Sequence, residues 1–244
     1  MIKKVIHPDV LSGVSSPLLP LIYADLEFNN AETDGVYVQT DTKDEIITVF
    51  SLKNGCVTLT KSKFFVDSEE LEEFFSFLSV DSCLSDADVF GNNSKNLPLL
   101  KCEINEKKQS DALKLDEYSR LCEYESVYNL LSGNGENFPQ WFSVASKKIN
   151  SKKAVVVYRN ENSIPVSVAM ATAVYKGTAI VSGVFTLLDC RKKGYASQCV
   201  SALLSELYDM GVKSVYLWCE EDIVPFYEKI GFKKDGNVFV REVF

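Results

Sequence analysis

With 244 residues, 46% apolar and 25% charged, the chain suits one large domain or two small ones and needs no metal or disulfide staple. A net charge of −8 argues against a nucleic-acid partner. Seven scattered cysteines with no C-x-x-C pair argue against a disulfide framework or a zinc site, and each is expected to be a small buried hydrophobe. The one histidine, His7, excludes Ser-His-Asp triads, Cys-His dyads and His-based metal centres. No apolar run could cross a bilayer, and His7-Pro8-Asp9 interrupts the stretch a signal peptide would need, so a cytoplasmic protein without a membrane partner is expected. Residues 1–150 carry 14 Lys and Arg against 24 Asp and Glu, while residues 151–244 carry 12 against 10. An anionic ligand is therefore sought in the second part.

Residues 1–32, with Pro8, Pro17 and Pro20, show no clear periodicity. Three strands are predicted at Val36–Gln39, Glu45–Ser51 and Cys56–Thr60, the last two joined by a tight Asn54-Gly55 hairpin. A helix should start at Asp67, with Asp67 and Glu70 placed for reciprocal capping and Leu71, Phe74, Phe75 and Leu78 on one apolar face. Strand-like pieces at Ala87–Phe90 and Leu99–Ile104 precede the polar run Asn105–Ser110. That run divides a β-rich domain, 1–110, from a second domain, 111–244.

The second domain should begin with helices at Leu121–Leu131 and Phe138–Ile149, separated by Ser132-Gly-Asn-Gly135. Strands at Ala154–Arg159, Pro165–Val174 and Thr178–Leu187 form an antiparallel meander. A helix at Tyr195–Met210, a strand at Ser214–Trp218, a helix at Val224–Ile230 and a strand at Asn237–Phe244 complete an α+β pattern.

The informative passage is Val184–Ser197. A strand ends, a basic loop with one glycine follows, and an amphipathic helix opens at once. The first turn of a helix leaves four backbone N–H groups without intrahelical partners and carries a partial positive charge, which suits a phosphate. Arg191, Lys192 and Lys193 add full charge, and Gly194 lets a ligand approach the backbone. Cations here oppose the helix dipole, so folding alone would not select them.

Arg191-Lys-Lys-Gly-Tyr-Ala196 after a strand, followed at the expected distance by Phe226-Tyr-Glu-Lys-Ile-Gly-Phe232, resembles the GCN5-related N-acetyltransferase (GNAT) superfamily. The resemblance covers about residues 112–244. It implies a splayed mixed sheet flanked by helices, with acetyl-CoA as co-substrate and no metal. The N-terminal region resembles the extra β-rich domain of some bacterial members, a worn-down copy of the same fold. By the same resemblance, the backbone of Val184, Phe185 and Thr186 would hold the pantetheine arm and acetyl carbonyl. The loop Arg191, Lys192, Lys193, Gly194, Tyr195, Ala196 and Ser197 would cradle the pyrophosphate.

Direct transfer to a primary amine would then use Tyr227 as acid for the departing thiolate and the Phe185 N–H as oxyanion donor. The glutamate and asparagine common in the family are missing from Val215–Asp222, which leaves Glu220 or Glu221 as base; Cys219, as a nucleophile, lacks a basic partner. The acceptor, a small amine or a protein amino group, is expected near Leu121–Ile149 and Pro165–Val174, with Trp141, Tyr158 and Tyr175 as lining candidates. A catalytically weak acetyl-CoA-binding regulatory or scaffolding module is the alternative. Oligomeric state is not legible.

Overall fold

The computed structural model describes residues 1–28, 34–62, 66–91, 94–107, 112–131 and 137–242. The chain divides into two compact units, one of residues 1–100, 218–224 and 234–244, the other of residues 101–217 and 225–233. No helix among the described residues is long and apolar enough to cross a membrane. The Ser132–Gly135 linker, part of the Asn105–Ser110 run and the last two residues lie outside the described set.

In the first unit, β1 (Ile2–Val5), β2 (Gly35–Thr40), β3 (Ile46–Lys53) and β4 (Cys56–Lys61) form an antiparallel ladder. The strand β5 (Ser82–Ser85) joins parallel to β4. The Asn54-Gly55 turn closes Lys53 onto Cys56 with φ of 49° and 74°, the left-handed pair that a two-residue hairpin requires. Alternation sends Tyr37, Phe50, Leu52, Val57 and Leu59 to one face, where they pack on Leu71 and Phe75 of α2 (Ser68–Phe77). The other face of β2–β4 carries α1 (Leu19–Phe28), tied by Ser51 Oγ to Asp25 at 2.7 Å.

The expected capping box is half made. Asp67 accepts from the Glu70 N–H at 3.1 Å, but the Glu70 carboxylate turns to the Gln39 amide at 2.8 Å and the N-terminal ammonium at 3.0 Å. The fifth strand lies at Ser82–Ser85 and not at Ala87–Phe90, because its partners are β4 and the C-terminal strand β12 (Lys233–Glu242), both remote in sequence. The sixth strand, β6, runs Lys95–Glu103.

In the second unit, β7 (Leu113–Lys114), β8 (Val155–Glu161), β9 (Ile164–Tyr175) and β10 (Thr178–Thr186) are antiparallel. One face holds α3 (Leu121–Leu131) and α4 (Phe138–Asn150) over a core of Tyr124, Val127, Trp141, Val156, Val168 and Met170. The opposite face carries α5 (Tyr195–Asp209), which leads into β11 (Ser214–Trp218) parallel to β10. The helix that includes Tyr227, α6, is short, Val224–Glu228. Of the cysteines, Cys83, Cys102, Cys190 and Cys199 are buried as expected, whereas Cys56 and Cys122 are exposed.

Candidate functional site

The central strand β10 is irregular. Its register against β9 shifts between Ile180 and Val181 and again between Val181 and Gly183. A glycine inside a strand commonly marks such a bulge. Gly183 also admits α3: a Cβ there would lie 3.0 Å from Leu131 Cδ2. Pairing of β10 with β11 is confined to Thr178–Ile180 against Ser214–Tyr216. Beyond the bulge, among the described residues, Gly183–Thr186 pair only with β9. Half of that segment's backbone groups therefore face a gap.

Which half follows from the register. The Leu187 N–H donates to the Val166 carbonyl at 3.0 Å, and the partners Phe185 and Val168 lie two residues along the same ladder. Bonded pairs alternate in an antiparallel ladder, so the Phe185 N–H is turned to Val168 and those of Val184 and Thr186 face away from β9. The donor expected at Phe185 is thus directed into the sheet. The carbonyl of Thr186 is on the gap side, where it accepts from Arg191 Nε at 3.2 Å. The Thr186 hydroxyl is buried 2.8 Å from Ser167 Oγ, which fixes the end of the strand.

A short 3-10 turn, Leu188–Cys190, leads into the loop. Arg191, Lys192, Lys193 and Gly194 are all exposed, and Tyr195, Ala196 and Ser197 are half-buried. Lys192 and Gly194 both have positive φ, 63° and 84°. For a lysine this conformation costs about 1–2 kcal/mol, the kind of local strain that collects at functional sites. A Cβ on Gly194 would meet nothing within 4 Å, so the loop opens outward. The first intrahelical bond of α5 runs from the Gln198 N–H to the Gly194 carbonyl at 3.1 Å. The N–H groups of Tyr195, Ala196 and Ser197 accordingly have no intrahelical acceptor.

Sequence reasoning missed Glu161, at the end of β8. Its carboxylate accepts from Lys193 Nζ at 3.2 and 3.3 Å, from the Tyr195 hydroxyl at 3.0 Å and from Cys190 Sγ at 3.3 Å. The Lys193 ammonium, then the thiol and the phenol, hold the Glu161 carboxyl below its ordinary value. The carboxylate raises Lys193 and Tyr195 in turn, while burial, then Glu161, raises Cys190. No local pattern marks this residue, whose partners lie 29 to 34 positions away.

Tyr227 is buried, with ring centroids 4.9 Å from Phe226 and 5.6 Å from Phe232. Glu220 belongs to the first unit, where it pairs with Lys95 with both side chains more than half exposed; Glu221 pairs with Lys234. Neither is among the groups gathered round the loop. Burial, reinforced by Glu221, Asp222 and Glu220, pushes the Cys219 thiol up to about 11, which opposes a nucleophilic thiolate.

Trp141 packs among Tyr124, Tyr128 and Phe138 as core, and Tyr158 is buried with its hydroxyl 3.3 Å from Glu123. Tyr175 sits at the far tip of the β9–β10 hairpin, with Lys153 and Lys176 over its ring. A cleft of about 420 Å³, lined in part by Lys114, Asp116, Glu206 and Asp209, lies toward the C-terminal end of α5. A helix of 15 residues is about 22 Å long, so that cleft is remote from the loop.

Residues 120–232 match the model of the acetyltransferase (GNAT) family. No curated protein matches by sequence. Among solved structures, the fold matches a GCN5-related N-acetyltransferase from Sphaerobacter thermophilus with a TM-score of 0.65 at 10% identity, over 99% of this chain and 95% of that one. It also matches one from Kribbella flavida, with a TM-score of 0.65 at 14% identity over 95% and 96%. A tandem GNAT protein from the clavulanic acid biosynthesis pathway matches with a TM-score of 0.60 at 9% identity, over 97% and 92%. At these identities the likeness concerns the fold, and it runs through both units. The strand β10 beyond its pairing with β11 and the open basic loop both lie within the matched segment, so residues 120–232 are a GNAT acetyltransferase-family domain, with an N-terminal region ahead of it.

Proposed function

We propose that the chain transfers an acetyl group from acetyl-CoA directly to a primary amine, either of a small molecule or of a protein. The observation that carries this reading is the succession of the β10 edge left unpaired by β11 and the open first turn of α5, the one suited to an extended amide chain and the other to an anion. An extended pantetheine arm could bond to the Val184–Thr186 backbone as an added strand would. The amides of Lys192–Ser197 suit the diphosphate, with Lys192 and Lys193 supplying charge. Arg191 closes the loop onto the Thr186 carbonyl and so serves its shape. We take residues 111–244 as the acetyl-CoA-binding domain and 1–110 as a domain that flanks it.

In the proposed step the amine nitrogen bonds to the thioester carbon, the carbon–sulfur bond breaks, and the amine loses a proton to solvent. An N–H of the gap side, from Val184 or Thr186, meets the developing oxyanion. Tyr227 gives its phenolic proton to the departing sulfur and recovers one from solvent. Glu220 is not adopted as base, because its carboxylate pairs with Lys95 in solvent.

The test is coenzyme A release across polyamines, amino acids, aminoglycosides and peptides, with Tyr227→Phe beside the wild type. We expect turnover to fall about 100-fold or more in the variant while coenzyme A binding stays within threefold. Binding without acetylation of any amine would favour the regulatory module.

A further inference from the structure

We propose that Glu161 is the positioning residue of the donor loop, a strut that holds the six-residue turn in the shape that presents its amides. This rests on the reading of that loop as the acetyl-CoA diphosphate site. The observation is a convergence: one carboxylate from β8 accepts bonds from the first, fourth and sixth residues of the segment Cys190–Tyr195. Further anchors lie toward its two ends: the Cys190 and Arg191 N–H groups donate to the Leu187 and Leu188 carbonyls, the Arg191 guanidinium donates to the Thr186 carbonyl, and the Gln198 N–H donates to the Gly194 carbonyl.

Between those anchors the chain takes two left-handed residues, one of them a lysine. Such a backbone relaxes unless its surroundings hold it. Glu161 is what holds it from outside the loop. It sits at the β8–β9 turn, whose Asn162 and Ser163 are themselves left-handed, so its own backbone is fixed by a tight hairpin. A carboxylate beside a diphosphate site is electrostatically adverse. Three donors from a single loop give it a structural reason to be there.

The same contacts decide how the charges of the loop are used. The Lys193 ammonium and the Tyr195 hydroxyl are both held on the Glu161 carboxylate, which offsets part of the Lys193 charge. Among the described residues the exposed Lys192 has no such carboxylate partner, and the backbone is left as the main recognition surface.

Two measurements on Glu161→Gln test this. In the unliganded protein, amide hydrogen exchange over residues 190–197 should accelerate about fivefold or more, with the rest of β8 and β9 unchanged. Unchanged exchange in that segment overturns the proposal whether or not the protein binds a coenzyme. Calorimetric titration with coenzyme A and with pantetheine, which lacks the phosphates, supplies the second readout. Coenzyme A affinity should fall about three- to tenfold while pantetheine affinity stays within twofold.

Tyr195→Phe, which removes one of the three donors, should fall between wild type and Glu161→Gln. Tighter coenzyme A binding by Glu161→Gln would show that the carboxylate competes with the phosphates and would refute the strut. Equal losses for both ligands would mean general damage and refute it too. If exchange accelerates but the wild type binds no coenzyme A, the strut stands and the donor-site reading fails.

Discussion

Replacing Gly194 separates what the loop needs to fold from what it needs to bind. Gly194 has φ of 84° and ψ of 0°, and an added Cβ would meet no atom within 4 Å. Gly194→Ala therefore carries no packing penalty, and its cost is the left-handed conformation, about 1–2 kcal/mol. The stiffer unfolded chain returns part of that, leaving a net loss of about 1 kcal/mol. For a chain of this size the melting temperature should drop by about 2–4 °C.

Asparagine tolerates the left-handed region better than alanine, so Gly194→Asn should lose about half as much stability. Its longer side chain, however, fills more of the open space outside Gly194, where the proposed diphosphate would lie. Coenzyme A affinity should thus fall more for Asn, about tenfold, than for Ala, about threefold. Scanning calorimetry and titration with coenzyme A check both orders. If affinity follows stability, with Ala worse than Asn, the space outside Gly194 is not where the phosphates lie.

The Cys219 thiol, pushed up to about 11, should stay protonated at pH 7.5 and react slowly with iodoacetamide, while exposed Cys56 and Cys122 are labelled first; peptide mapping by mass spectrometry reads the order. Rapid Cys219 labelling would show that its acidic surroundings are absent in solution. Phe50 is fully buried with ring centroids 5.4 Å from Tyr37, 5.9 Å from Phe74 and 5.2 Å from Phe75, so Phe50→Ala should cost about 3–5 kcal/mol in denaturant unfolding of the first unit. A loss under 1 kcal/mol would mean that this cluster is not packed as described.

The strongly patterned elements were legible in the letters. Short segments rich in β-branched residues located β2, β3 and β4, the Asn-Gly pair located the hairpin between the last two, and the helical stripe after Gly194 located α5 to within one residue. The helix α1 was not legible: Leu19–Phe28 is apolar almost all round and carries Pro20 in its first turn, so it lacks the one-sided stripe that marks a surface helix. The position of β5 depends on partners far along the chain, which no local window contains.

Within the site, Arg191–Ser197 could be picked out because a strand, a basic loop and a helix follow one another without a break. The direction of the Phe185 amide could not. It depends on the parity set by the bulge before it and by the Leu187–Val166 bond after it. Gly183 hinted at the bulge, but a one-residue slip exchanges every inward and outward group, and composition does not count slips. Glu161 stayed hidden for a related reason, since its role is created entirely by tertiary proximity.

The departure of β11 leaves β10 with a bare selvage in the interior of a sheet, where most proteins keep such margins short or covered. Whatever extended, amide-bearing molecule lies there completes the weave and gains main-chain bonds that ignore its side groups. If the proposed acyl donor lies there, discrimination among acyl groups must come from the walls around the acyl tip, and not from the seam itself. The protein without its donor should also be the less soluble form, because an unclaimed hem is open to any passing strand.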